Sequence, residues 1–407
     1  MISFIKNELV HFRNLSKKAQ MLLISFFFYS TAYPIISVFI NAFIWKNDGK
    51  IASLIYFRIG QFLIVPLAFL LGGILLKNIK IGLLYFIGAL LIALSSVLII
   101  FFKNDTVLGF LIMGILLGIG TGLYWANRNY LTIKETTDEN RSYFFGLLFS
   151  FSTLIGLVVT LLVGWLIVFG MSYQFLITAA FILIFYSGLI ILKGGYETPK
   201  IGRLFIHNSS YIWMRKRIVH LGIGLVEGLT YVVPGLLILT VLGNEGVLGT
   251  LTAISSIIST LLIYYYGRKS HTKDHKTYFI ISTVLGLIVS LVMAIVFNKF
   301  TVITYSLLNG LIISFLWLTF NSPVLKNIDQ EVGQIEEKRF SYVLDTEFYL
   351  NGGRLTGLVI CLLTAIYFGT ENSLRFTPLI LSILQIILFV YLEKFRKKDY
   401  LKPLTDL

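Results

Sequence analysis

The stretch Ser341–Phe368, SYVLDTEFYLNGGRLTGLVICLLTAIYF, has the length and apolar character to cross a bilayer, yet it contains Asp345, Glu347, Asn351 and Arg354. At about 100° per residue, helix positions i, i+4 and i+7 share a face. Glu347, Asn351 and Arg354 therefore form one polar stripe, and Asp345 points elsewhere. An ionisable group within a spanning helix costs about 2.5–3.5 kcal/mol on insertion scales, so it faces a partner or a wet cavity. Arg354 falls ~18 Å along the segment at the helical rise per residue, close to mid-membrane. Its planar fork suits a carboxylate or a phosphate, which admits an anionic or zwitterionic solute, or a salt bridge to Glu347 or Glu227. Gly352 and Gly353 let another backbone approach, or let the helix bend, beside the stripe. Two roles stay open: a solute or ion site, and a Glu–Arg clamp that only holds helices together.

Other spans carry further candidates. Glu227 lies ~13 Å along a helix begun near Ile218, on the same side as His220, Tyr231 and Pro234. A lone carboxyl in an apolar span is suited to exchanging a proton during transport, and a neutral Glu hydrogen-bonded to a neighbouring helix is the plainer role. Arg58, with Gln61 one turn later, sits ~10 Å inside the outer end of the second span. It either snorkels outwards or adds a positive group to a cavity. Tyr29 and Tyr33 in the first span, with Tyr231, supply aromatic surface to the same candidate pathway for substrate or protons. Trp125 and Asn129 end the fourth span as Trp317 and Asn321 end the tenth, and these four are candidates for an inner gate. Interfacial anchoring of the Trp and a positive-inside bias for Arg128 are the plainer explanation. Gly114, Gly118 and Gly122 form a small-residue stripe that reads as a helix-packing face. No metal site and no cofactor are expected: His271 and His275 read as part of a solvated loop, and Cys361 is the single cysteine.

What must position these groups is a stack of spanning helices. Of the 407 residues, 57% are hydrophobic and 13% charged, about half the charge of a soluble domain. Runs of about 20 apolar residues mark spans. Twelve occur, at 20–45, 51–76, 81–102, 106–127, 143–170, 171–192, 218–242, 246–267, 277–298, 301–325, 341–368 and 373–392. The first is full length and reads as an anchor. With the N-terminus inside, 27 of the 34 Lys and Arg fall on inner segments and 5 on outer ones, with Arg58 and Arg354 inside spans. That bias is a topology signal, so the net charge of +14 is no nucleic-acid footprint. The longest inner loop, Lys193 to Arg217, divides the chain into two sets of six spans. Trp125-x3-Asn129 recurs as Trp317-x3-Asn321, and Tyr29-x3-Tyr33-Pro34 has a counterpart in Glu227-x3-Tyr231 followed by Pro234. The expected fold is thus all-α and polytopic, with twelve transmembrane helices in two pseudo-symmetric halves: a bundle at 1–192, a cytoplasmic linker at 193–217 and a bundle at 218–407.

This organisation resembles the major facilitator superfamily of secondary transporters. The family motif between spans two and three, roughly G-x-x-x-D-R-x-G-R-R, has a trace in Gly73-Ile-Leu-Leu-Lys77-Asn-Ile-Lys80, which lacks the Asp. A similar trace follows span eight at Gly267-Arg268-Lys269. Gly118-Ile-Gly120-Thr-Gly122 matches the glycines of the drug-exporter branch, with Gly114 where that branch carries Arg. Span five holds Gly156 and Gly164 without the antiporter proline. These departures speak against the usual proton–drug antiport arrangement. Tyr124-Trp125…Asn140-Arg141 and Leu350-Asn351-Gly352-Gly353-Arg354 are also similar to a poorly characterised bacterial branch. The resemblance implies alternating access around a midplane solute, in a multi-pass protein of the bacterial inner membrane with cytoplasmic termini. Its partners would be a small-molecule solute, protons as a candidate coupling ion, and the bilayer, with the protein a monomer. Drug or metabolite export is favoured slightly over uptake. The alternatives are a flippase for a lipid or lipid-linked molecule and, outside transport, a polytopic membrane enzyme or receptor. No metalloprotease motif, clustered cysteines or nucleophile elbow is present to support an enzyme.

Overall fold

A computed structural model describes residues 12, 15–101, 106–136, 138–198, 201–206, 209–269, 275–332 and 338–399. Side chains are described within these except at 133, 138–142, 145–146, 149–150, 212, 263–269, 275–276, 278–279, 317–327, 329–332, 389 and 391–399. The protein is an all-α polytopic membrane protein, with no strand among the described residues. Helix α1 runs over Lys17–Asp48, with a π-helical turn at Ile35–Phe39. It is followed by α2 (Ile51–Leu75), α3 (Ile81–Phe101), α4 (Val107–Glu135), α5 (Asp138–Val168) and α6 (Tyr173–Leu192). The seventh is in two pieces, α7a (Tyr211–Thr230) and α7b (Val233–Val241). Then come α8 (Glu245–Lys269), α9 (His275–Ile295), α10 (Lys299–Val332), α11 (Arg339–Phe368) and α12 (Thr370–Asp399). Each of the twelve expected segments falls largely on one of these twelve helices, the seventh on its two pieces. Ten of the described helices are long and apolar enough to cross a membrane, and Ile280–Ile295 is a shorter apolar stretch.

Hydroxyl caps start several of the helices. Ser16 Oγ accepts the Ala19 N–H at 3.0 Å, Thr106 Oγ1 that of Gly109 at 3.2 Å, and Ser210 Oγ that of Trp213 at 3.1 Å. Each satisfies an orphan donor that hydrocarbon could not solvate. The short connection before α8 turns through Gly243, whose φ of 96° few side chains tolerate. Leu162, Phe169, Leu261 and Ile366 are exposed, as apolar side chains on a lipid-facing surface are.

The described chain groups into two compact units: Met1–Gly49, Tyr56–Leu204 and Asn244–Ala253 in one, and Lys50–Ile55, Phe205–Gly243 and Ile254–Leu407 in the other. In the first, the glycine stripe of α4 packs on α2 as expected. A Cβ on Gly114 would strike the Phe57 carbonyl, one on Gly118 that of Gln61, and one on Gly122 that of Val65. Gly120, on another face, brings α3 equally close, its Cβ falling 2.6 Å from the Ile92 nitrogen. Glu245, in the first turn of α8, accepts from Lys46 Nζ at 2.9 Å and from the Tyr173 hydroxyl at 2.7 Å. The chain after α6 stays anchored here: the Tyr196 hydroxyl donates to the Lys18 carbonyl at 2.8 Å, and Lys134 to Glu197 at 2.8 Å. The hydrogen bond and charge of Lys134 hold the Glu197 carboxyl below its usual range.

The second unit is built on the crossing of α7a and α11. A Cβ on Gly224 would overlap the Leu350 carbonyl, one on Gly353 that of Leu221, and one on Gly357 that of Leu225. At Gly352, one residue away, a Cβ would meet nothing within 4 Å. The two neighbours should therefore respond oppositely. Gly353→Ala is expected to destabilise by about 1–3 kcal/mol through overpacking. Gly352→Ala should be neutral or stabilising by about 0.4–1 kcal/mol, because it removes only unfolded-state freedom. Thermal unfolding of the two variants in one detergent checks the contrast.

Candidate functional site

The α7a–α11 crossing brings Arg354 against Glu227. Arg354 Nε and Nη2 both donate to Glu227 Oε2, at 3.1 and 2.9 Å. Its Nη1 donates to Asn351 Oδ1 at 3.0 Å, and Asn351 Nδ2 donates in turn to Glu347 Oε2 at 3.0 Å and to the Glu347 carbonyl at 2.8 Å. The Tyr231 ring centre is 6.0 Å from the guanidinium carbon. Five of the sequence-derived pathway residues thus form one network: Glu227, Tyr231, Glu347, Asn351 and Arg354. The glycines explain why. Without a side chain at 224, 228 or 353, the two backbones approach until Glu227 and Arg354 lie at the same level, and a Cβ on Gly228 would be 2.8 Å from the Arg354 Cα. Glu227 is 6% exposed and Asn351 fully buried, so the pair is largely desolvated. Glu227 binds the guanidinium directly, and Glu347 is linked to it through Asn351. With both ionised the network carries one net negative charge, and a single bound proton neutralises it.

The helix is interrupted beside this network. Tyr231 and Val232 separate α7a from α7b, and Val232 has φ −122° and ψ −59°, outside the helical region. Pro234, in the first turn of α7b, lacks the N–H that would continue the ladder, and its ring excludes the carbonyl four residues earlier. The Val232 N–H closes a tighter turn onto the Leu229 carbonyl at 2.9 Å. Broken helices at membrane depth place unpaired backbone groups where a cavity can use them. His220, expected on the Glu227 side of the helix, pairs its Nδ1 with the Lys216 carbonyl at 2.7 Å. A cavity of about 20 Å³ in the same unit is lined by Leu229, Tyr305, Asn309, Ser382 and Gln385, which is room for one water and not for a solute.

Asp345 lies off the stripe, as its position on the helix requires, and it has a partner that helical periodicity does not supply. Arg217 Nε and Nη2 bind its two oxygens at 2.8 Å each, and Trp213 Nε1 donates to Oδ2 at 2.7 Å. The signal for it is in the spacing: Arg217 precedes Glu227 by ten residues and Asp345 precedes Arg354 by nine, so one helix crossing pairs both. Asp345→Asn keeps the shape and gives up the charge-assisted bonds. It should lower the unfolding free energy by about 1.5–3 kcal/mol. Thermal unfolding in detergent reads this loss.

The candidates of the first unit fall into two groups. Tyr29 stacks on Tyr33 (centroids 5.4 Å apart) and on Tyr124 (4.3 Å), and Trp125 meets Tyr29 edge-on at 6.2 Å. The Tyr124 hydroxyl accepts from Tyr85 at 3.0 Å, and Tyr85 bonds Ser25 at 2.8 Å. Asn129 is half-buried beyond this stack, with no hydrogen bond among the described residues. Arg58 is the other group. It is 2% exposed and does not snorkel. Its Nη1 donates to Gln61 Oε1 at 2.7 Å, and its Nη2 to Asn41 Oδ1 at 2.5 Å and to the Ser37 carbonyl at 3.0 Å, within the π-helical turn of α1. The side chains of Trp317 and Asn321, and the loop with His271, lie outside the described residues. No group of three or more metal-ligating side chains occurs among the described residues.

No family model matches the chain. It is similar to the uncharacterized protein YqgE of Bacillus subtilis (strain 168), 23% identical over 387 residues that cover 91% of this chain and 88% of that protein. A stretch of 132 residues is 31% identical to an uncharacterized protein in the sodM 3'region of Geobacillus stearothermophilus, covering 32% of this chain and 62% of that one. Among solved structures, the crystal structure of the peptide transporter POT in complex with sulfate superposes with a TM-score of 0.67 at 11% identity, over 92% of this chain and 95% of that one. The chain therefore has the fold of a multi-pass membrane transporter.

Proposed function

We propose that the protein is a secondary transporter of the major facilitator superfamily, moving a small solute across the bacterial inner membrane by alternating access. The observation that carries this reading is the α11 arginine, its side chain 12% exposed, paired with Glu227 and linked through Asn351 to a second carboxyl beside a broken helix, within a transporter fold. A purely mechanical clamp needs one carboxylate. The second, Glu347, reached through Asn351, supplies a place for a proton to bind and leave. Glu347 is half-buried and Glu227 buried, so Glu347 is the group that exchanges protons while Glu227 remains the counter-ion of Arg354. In this scheme the bundles at 1–192 and 218–407, joined by the linker at 193–217, rock about the solute. Both termini are cytoplasmic, Trp125, Asn129, Trp317 and Asn321 serve the inner gate, the first bundle contributes Tyr29, Tyr33 and Arg58 to the pathway, and export is favoured slightly over uptake.

The test is proton movement in proteoliposomes carrying an internal pH dye, across a panel of candidate solutes. A solute-dependent pH change establishes coupled transport. Movement of labelled lipid between leaflets, with no solute response, would replace solute transport by lipid flipping.

A further inference from the structure

Arg128 is held unlike Arg354, Arg217, Arg58 and Arg375. Its guanidinium carbon lies 4.3 Å from the Phe26 ring centre and 4.1 Å from that of Trp125. Its Nε is buried with no hydrogen-bond partner, and no described carboxylate or carbonyl takes its fork. By contrast Arg354 has Glu227, Arg217 has Asp345, Arg58 has Asn41 and Gln61, and Arg375 donates to the Ala294 and Ile295 carbonyls. Phe26 sits nine residues into α1, ~13 Å from its start, and the guanidinium lies level with it.

Beside it stands a fixed aromatic wall. Tyr29 is clamped between Tyr33 and Tyr124, and Trp125 packs edge-on to Tyr29 and to Tyr124 at 6.2 and 6.1 Å. Tyr33, Trp125 and Arg128 are each half-exposed, so the wall and the cation share an open edge. A guanidinium stacked between rings keeps its in-plane donors available, and those donors match a carboxylate in bidentate geometry. The rings offer flat apolar surface to the rest of the ligand.

We propose that Arg128, Trp125 and Tyr33 form a recognition site for a solute that carries a carboxylate on a flat aromatic body. The proposal rests on the transport reading for its biological use, and specifies the substrate class. Arg128 is its charge-recognition residue.

The experiment measures equilibrium binding by calorimetry to the full-length protein in phosphatidylcholine nanodiscs, with 1-naphthoate and its neutral counterpart 1-naphthamide as probes. Naphthoate should bind about tenfold or more tighter than the amide, the size of one charge-assisted hydrogen-bonded contact. Arg128→Gln should erase that preference, and Arg128→Lys, which keeps charge and loses the fork, should retain only part of it. Tyr33→Leu should weaken both probes alike. Melting temperatures confirm that the variants fold, and the lysine variant still decides the matter if the glutamine one does not. Equal affinity of wild type for both probes overturns the proposal, as does a preference that survives unchanged in Arg128→Gln or Arg128→Lys. So does loss of naphthoate binding when phosphatidylglycerol replaces part of the lipid, which would make an anionic headgroup the occupant. Binding is read without a gradient, so failure here leaves the transport reading standing, and a failed proton assay leaves this site standing.

Discussion

Glu347→Gln should reduce solute-dependent proton movement in proteoliposomes to the level of protein-free vesicles, while downhill solute flux persists. The expectation follows from how the two carboxyls are held. Glu227 accepts both Arg354 N–H groups on one oxygen, and replacing it removes the counter-ion of a largely buried cation, 12% exposed. Glu347 reaches the arginine through Asn351, so an amide at 347 leaves the two Glu227–Arg354 hydrogen bonds in place and copies the protonated form. A transporter frozen in that form can still alternate around its solute, and has no proton to exchange. Glu347→Asp keeps the acid on a stem one methylene shorter and should recover part of the coupling. An unchanged proton-to-solute ratio in Glu347→Gln would exclude this carboxyl as the coupling group and turn attention to Glu227.

Much of this arrangement is legible in the sequence. Glu347, Asn351 and Arg354 are local to one helix, so helical periodicity alone places them on one face, and their mutual hydrogen bonds follow. The twelve apolar runs and the α4 glycine stripe are likewise properties of single segments. What escapes depends on how separate helices cross. Glu227 is one of two candidate partners for Arg354, and only the approach permitted by Gly224, Gly228 and Gly353 selects it. Arg217 reads as one more topology-setting charge until α11 brings Asp345 to it. Snorkelling stays open for Arg58 because two of its acceptors, Asn41 and the Ser37 carbonyl, belong to another helix, and the carbonyl lies in a π-helical turn that no composition rule marks. Arg128 escapes for the same reason, since Phe26 is its neighbour in space and not in sequence.

Arg354→Met should cost about 3–5 kcal/mol of stability, because it strands the Glu227 carboxylate in a site built to pair it. The double variant Glu227→Gln with Arg354→Met should recover most of that loss, since a buried pair replaced by neutral groups of similar volume is often neutral or stabilising. Function separates the two roles of the pair. If Glu227 and Arg354 only brace α7a against α11, the double variant regains transport along with stability, and the Arg217–Asp345 pair on the same two helices continues to hold the crossing. If they lie on the pathway, the double variant folds and transports nothing. The second outcome is expected here. The network sits beside the break in α7, where a brace would gain little from adjoining unwound backbone, and it includes a second carboxyl that bracing does not require. Thermal unfolding and solute flux measured on the same four preparations — wild type, both single variants and the double — decide between brace and pathway, because only on the pathway do the two readouts part company.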